Sequence, residues 1–196
     1  MRAHRSSGIY RCTGHRRGSS PHLVALAALS AFILTSILHA QSSPTEYQVK
    51  AAYLYNFAKF VEWPPQVMSS DSSFNICVLG RDPFDSTFQT TIAGGTIKGK
   101  NVLVKRIPRA QDGAGCQILF ISSSEEARLK DILDVLDRMS VLTVSDMPQF
   151  TRRGGMIQFV TEGNRVRFEV NLTNAERTGL TLSSQLLKVA IGVRRG

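Results

Sequence analysis

Apolar and polar residues follow three different rhythms along this chain. In EYQVKAAYLYNFAKFVE, residues 46–62, Tyr47, Ala51, Leu54, Ala58 and Val61 recur at i, i+4, i+7, i+11 and i+14, which is the spacing of one helical face. A second row, Val49, Tyr53, Phe57 and Phe60, widens that face. Thr45 stands where an N-cap belongs, and Trp63-Pro64-Pro65 ends the helix, since proline lacks a donor and disfavours helix before it. Short apolar runs at 74–79, 117–121 and 141–145 predict buried strands, with another strand near 101–107 after a turn at Gly94-Gly95. Residues 156–161 and 165–171 alternate with period two around Glu162-Gly163-Asn164, which predicts a hairpin.

Further helices are predicted from Asp82-Pro83 to about Thr91, over 124–138 and over 182–193. The second opens on a capping box, Ser122 to Glu125, and should turn Ala127, Ile132, Leu133, Val135 and Leu136 inward. The segments SSDSS, after the first helix, and RAQDGAG, residues 109–115, read as loops. Apolar strands alternating with helices imply an α/β fold: a single-domain sandwich of a mixed, partly parallel sheet flanked by helices.

The amino-terminal residues belong to a different pattern. Residues 23–38, LVALAALSAFILTSIL, carry no charge, follow a basic segment and precede Leu38-His39-Ala40. This is the order of a secretory signal, with cleavage expected between Ala40 and Gln41. Sixteen apolar residues are short of the roughly 20 that a membrane-spanning helix needs. The expected organisation is therefore a signal peptide over 1–40 and an exported domain over 41–196, with its core at about 46–193 and the periplasm as its compartment.

This division changes what the composition means. The formal charge is +9, from 24 basic and 15 acidic residues. Arg2, Arg5, Arg11, Arg16 and Arg17 lie in the leader, which holds no acid, so the exported part has 19 basic against 15 acidic residues, or +4. That is too modest to indicate nucleic acid. His4, His15, His22 and His39, all four histidines, fall in the leader, and so does Cys12. Catalysis by Ser-His-Asp or Cys-His, and metal ligation by histidine, are excluded for the exported part. Cys77 and Cys116 remain, each in a strand-like context. If those strands are neighbours, a disulfide is geometrically feasible in an oxidising compartment; two buried free thiols are the alternative.

Other tempting chemistry gives way on inspection. Gly94, Gly99 and Lys100 fit the start of a phosphate loop, but Asn101 replaces the Ser or Thr and the segment opens a strand rather than a helix. Glu126, Asp131 and Asp134 share a helix with Arg128 and Lys130, which reads as a solvated face. Ser122–Ser124 lie in no nucleophile elbow, and capping explains them. We expect no catalytic residue, no metal and no cofactor.

Seven segments in order resemble the YfiR family of periplasmic proteins: EYQVKAAYLYNFAKFVEWP, FNICVLGRDPF, IKGKNVLVKRI, GCQILFISSSE, VLTVSDMPQF, GGMIQFV and RVRFEVNLTNAERTGLTLSSQLLKVA. The resemblance covers roughly residues 46–193. It implies a non-enzymatic α/β domain, often dimeric, that binds the periplasmic sensor part of an inner-membrane diguanylate cyclase and represses it. Lower cyclic di-GMP and less biofilm follow from that role. An outer-membrane lipoprotein is the implied second partner, one that sequesters the repressor. Cys77 and Cys116 match a disulfide pair of the family; the second pair of its best-known member has no counterpart here. A redox response through the one disulfide is implied in a milder form.

Partner contact is expected at the C-terminal hairpin, with Phe159, Arg167 and Glu169 chosen for position and side-chain type. The alternative function is a periplasmic small-molecule sensor. For that reading Arg81, beside a strand end and ahead of Asp82-Pro83, is the expected anion contact.

Overall fold

The computed structural model describes residues 45–70 and 72–195, and the signal peptide expected over 1–40 lies outside them. Helix α1 (Glu46–Phe60) begins on a capping box: Thr45 Oγ1 accepts from Gln48 N–H, while Gln48 Oε1 accepts from Thr45 N–H. The helix stops two residues earlier than its apolar period suggests. Val61 and Glu62 form a short strand, β1 (Val61–Glu62), that pairs antiparallel with β9 (Thr181–Leu182). Pro65 then occupies the first position of a small helix, α2 (Pro65–Ser70), in place of part of the expected loop.

Next in order come β2 (Ser73–Leu79), α3 (Asp85–Ile92), β3 (Thr96–Ile97), β4 (Lys100–Ile107) and β5 (Ile118–Ile121). The expected loop at 109–115 is instead a 3-10 turn over Ala110–Gly115. Another 3-10 turn, Ser123–Arg128, precedes α4 (Leu129–Leu136), so the expected long helix is in two parts. Glu125 does not take the expected capping-box role. Rather than reaching back to the cap, it is buried and paired with Arg128. Ala127 is exposed, contrary to expectation, and Leu129 takes the inward position. The chain continues through β6 (Leu142–Ser145), β7 (Ile157–Glu162), β8 (Arg165–Asn171), α5 (Leu172–Arg177), β9, α6 (Ser184–Val189) and β10 (Gly192–Arg194). The single closing helix expected over 182–193 is thus a strand, a helix and a strand. Ser183 caps α6 through Leu186 N–H, and beyond Ala190 the chain pairs with β8.

Eight strands form one sheet in the order β10-β8-β7-β6-β5-β2-β4-β3. Strands β4, β2, β5, β6 and β7 run parallel; β8 is antiparallel to β7 and β10 parallel to β8. The sheet is mixed and partly parallel with helices on it, one α/β domain. Period-two alternation divides the core in two. Phe74, Ile76, Val78, Phe120, Val144 and Phe168 pack with α1 and α3, whereas Cys77, Leu79, Leu119 and Ile121 pack with α4. On that second face β6 buries two hydroxyl residues. Both are satisfied: Ser145 Oγ donates to Ile121 O at 2.7 Å, and Thr143 Oγ1 accepts from Met156 N–H at 3.1 Å.

One buried charge ties α1 to the end of β6. Lys50 Nζ lies 2.7 Å from Asp146 Oδ2 and 2.6 Å from Glu46 Oε1, and Tyr47 Oη donates to the same Asp146 oxygen at 3.0 Å. Burial works against the ammonium, but hydrogen bonds to Asp146 and Glu46 outweigh it and hold Lys50 above the ordinary lysine range. Burial and the Asp146 charge likewise push the Tyr47 phenol up. Because the folded-state value of Lys50 is raised, its contribution is fully present below the ordinary lysine value and is lost only in strongly alkaline solution. Lys50→Met should cost about 3 kcal/mol by stranding Asp146, and adding Asp146→Leu should recover much of that. Urea unfolding of the three proteins checks this; a single variant as stable as wild type would remove the clamp from the account.

Candidate functional site

Four places on the domain carry features beyond packing. The first is the cysteine pair. Cys77 is in β2, and Cys116 lies between the 110–115 turn and β5, which is the parallel neighbour of β2. Their Cα atoms are 5.9 Å apart, they are joined as a disulfide, and they are 0 % and 1 % exposed. The bridge lies in the α4-side core with Ala110, Leu119 and Leu136. Its sequence separation of 39 residues corresponds to about 4 kcal/mol in the chain-entropy picture.

The second is the β7–β8 hairpin. Its register pairs Phe159 with Phe168, Val160 with Arg167 and Gln158 with Glu169. Alternation therefore sends Phe159 to the α1 side, where it is 3 % exposed and stacks on Phe57 with ring centres 5.9 Å apart. This corrects the expectation that Phe159 is a surface contact. Arg167 is exposed, and Glu169 is half-buried, its carboxylate accepting from Thr151 Oγ1 at 3.3 Å. These two share the opposite face of the strand from Phe159.

The third was not foreseen. Between α1 and α6 runs an open groove of about 500 Å³, whose apolar lining includes Tyr53, Phe57, Phe60, Phe168, Leu186 and Val189. No charged side chain lines it. Val189 is 63 % exposed and Ile191, just before β10, is 36 % exposed. The sequence carried a signal for it. The two apolar rows of α1 together exceed what one sheet face can cover, but the aromatic row reads equally well as core. Splitting the closing helix is what places Val189 at the rim.

The fourth is the end of β2, where Arg81 is exposed and borders an open crevice with Pro83 and Ser122–Ser124. Among the described residues there is no group of three or more His, Cys, Asp or Glu that could hold a metal. No helix among them is long and apolar enough to cross a membrane.

The sequence model described as YfiR/HmsC-like matches residues 47–191. Two solved structures have the same general fold. One is an ABC domain in complex with L-Trp from Streptococcus pneumonia, with a TM-score of 0.52 at 12% identity, covering 74% of this chain and 60% of that one. The other is a conserved domain protein from Vibrio cholerae O1 biovar El Tor, with a TM-score of 0.52 at 10% identity, covering 78% of this chain and 62% of that one. The chain spans under two thirds of both, and at this identity the likeness is one of fold.

Loss of the bridge should be felt as stability. Cys77→Ala with Cys116→Ala should lower the unfolding free energy by about 4 kcal/mol, and reductant should lower the midpoint of wild type but not of the double variant. Equal wild-type midpoints with and without reductant would remove any redox role for this pair.

Proposed function

The chain belongs to the YfiR/HmsC-like family, and on that premise we propose that it is a periplasmic, non-catalytic regulator of cyclic di-GMP signalling that works by contact. In this reading it binds the periplasmic part of an inner-membrane diguanylate cyclase and holds the cytoplasmic enzyme inactive. The observation that supports it most directly is the uncharged groove between α1 and α6, lined in part by exposed Val189. Contiguous exposed apolar surface costs solubility and marks a place where another chain docks. A groove with this apolar lining suits the apolar side chains of an amphipathic helix. Arg167 and Glu169 lie on the opposite face of β8 from the groove, so in this reading they form a separate polar contact that affects the rate of encounter more than the hold.

Family membership also supports a release step. An outer-membrane lipoprotein competing for the groove would free the cyclase, and a second copy of the chain covering it would do the same. The disulfide adds a slower control. Removing about 4 kcal/mol from a typical stability of about 5–15 kcal/mol weakens the repressor without any catalysis.

Deleting the gene in its native host should raise cellular cyclic di-GMP, and supplying the wild-type chain should lower it again. Val189→Asp places a charge in the groove at an exposed site, so it should fold normally yet fail to restore the low level. Arg167→Glu should restore it partly. Unchanged cyclic di-GMP on deletion would overturn the regulatory reading, and full activity of Val189→Asp would move the contact elsewhere. For export, N-terminal sequencing of the periplasmic protein should begin at Gln41; a chain retaining residues 23–38 would instead be membrane-anchored.

A further inference from the structure

We propose that the crevice where β2 and β5 end binds a small organic anion by its carboxylate or phosphate group, with Arg81 as the ionic anchor and the Ser122 hydroxyl as a donor. This goes beyond regulation by contact and does not depend on it. The topology supplies the place. From β2 the chain crosses to β4 on one side, and from β4 it returns past β2 to β5 on the other. Connections leaving the two strands therefore diverge, and in open α/β sheets ligands occupy the gap so made at the carboxyl ends.

The backbone there is tightly determined. Gly80 has φ +88°, and a Cβ on it would come within 2.6 Å of Ser124 Oγ and 2.8 Å of Glu125 Cγ. Only glycine lets the loop after β2 lie this close to the loop after β5. Arg81 N–H then donates to Ser124 Oγ at 2.9 Å, which fixes the arginine backbone against the serines.

Its guanidinium, by contrast, is unengaged. The neighbouring arginines are all spoken for: Arg106 pairs with Asp82, Arg128 with Glu125, and Arg109 with Asp112. Asp82 also accepts from Phe84 N–H at 2.8 Å. Among the described residues Arg81 forms neither an ion pair nor a side-chain hydrogen bond. Asp82 and Glu125 are neutralised by those ion pairs, and the crevice of about 350 Å³ is lined by Arg81, Pro83, Ser122, Ser123 and Ser124.

The serines place rotatable hydroxyls beside the arginine. Ser122 is 5 % exposed and lines the crevice. Its Oγ accepts from both Ser124 N–H and Ser124 Oγ–H, each at 3.3 Å. The two hydroxyls can exchange donor and acceptor in the second bond, so Ser122 can turn its proton either to Ser124 Oγ or into the crevice. An anionic oxygen held by Arg81 would accept that proton in the second arrangement, and Arg is the side chain suited to gripping two such oxygens at once. The volume suits a small metabolite rather than a polymer.

The test uses the exported protein with its disulfide intact. Sodium phosphate, succinate and citrate are titrated separately by calorimetry and followed by amide NMR. At least one should bind saturably, with shifts concentrated at Arg81 and Ser122–Ser124, and the preferred anion tells phosphate from carboxylate. Arg81→Met, at an exposed site, should weaken binding tenfold or more; Ser122→Ala should weaken it less, with its melting temperature measured because Ser122 also caps the following turn. Arg194→Met, an exposed arginine on β10, should bind as wild type. No saturable binding up to about 10 mM, equal binding by Arg81→Met, or shifts located elsewhere would overturn the inference. A wild-type chain that fails here yet still lowers cyclic di-GMP leaves the contact reading standing.

Discussion

Strand β2 has β4 hydrogen-bonded along one edge and β5 along the other, and six of its seven residues are buried. Each backbone donor and acceptor taken from water on both sides must be returned by a neighbouring strand, so both partners are obligatory. One face of the strand supplies Phe74, Ile76 and Val78 to the α1-side core, and the other supplies Cys77 and Leu79 to the α4-side core. The disulfide fastens to this strand, and the crevice opens at its end. A fault in β2 would therefore reach both cores and two of the four notable places at once.

Much of this was legible in the residues. The buried strands announced themselves as apolar runs, and Thr45 marked the start of α1. The hairpin was given by alternation around Gly163. The departures come from contacts that the local pattern does not reveal, most of them tertiary. The residues ending α1 have helical spacing, yet Val61 and Glu62 are drawn into a strand by β9, more than a hundred residues away in sequence. Glu125 has the right offset for a capping box but is claimed by Arg128. Phe159 was misassigned for a subtler reason. Aromatic character in a hairpin says nothing about which face it occupies; the register against β8 decides that, and one residue's slip reverses it.

The notable places differ in how sequence could reveal them. A cysteine pair is visible by counting, and Arg81 by its position after an apolar run. The groove is visible only once α6 is cut short and Val189 is left uncovered. Apolar residues destined for a partner and those destined for the core have the same composition, so only burial separates them. Lys50 poses the opposite problem. A lysine within an amphipathic helix reads as solvated, and its burial depends on Asp146, which no local rule connects to it.

The burial of the disulfide sets how quickly the protein could register a change in its surroundings. With Cys77 and Cys116 at 0 % and 1 % exposure, a reducing thiol cannot approach either sulfur until the core around them opens. Once reductant is plentiful, the pace of reduction is that of the opening itself and no longer rises with concentration. Brief pulses would pass unrecorded, while a sustained change would accumulate. A bond placed there would act as a low-pass filter, following the duration of a redox shift rather than its height.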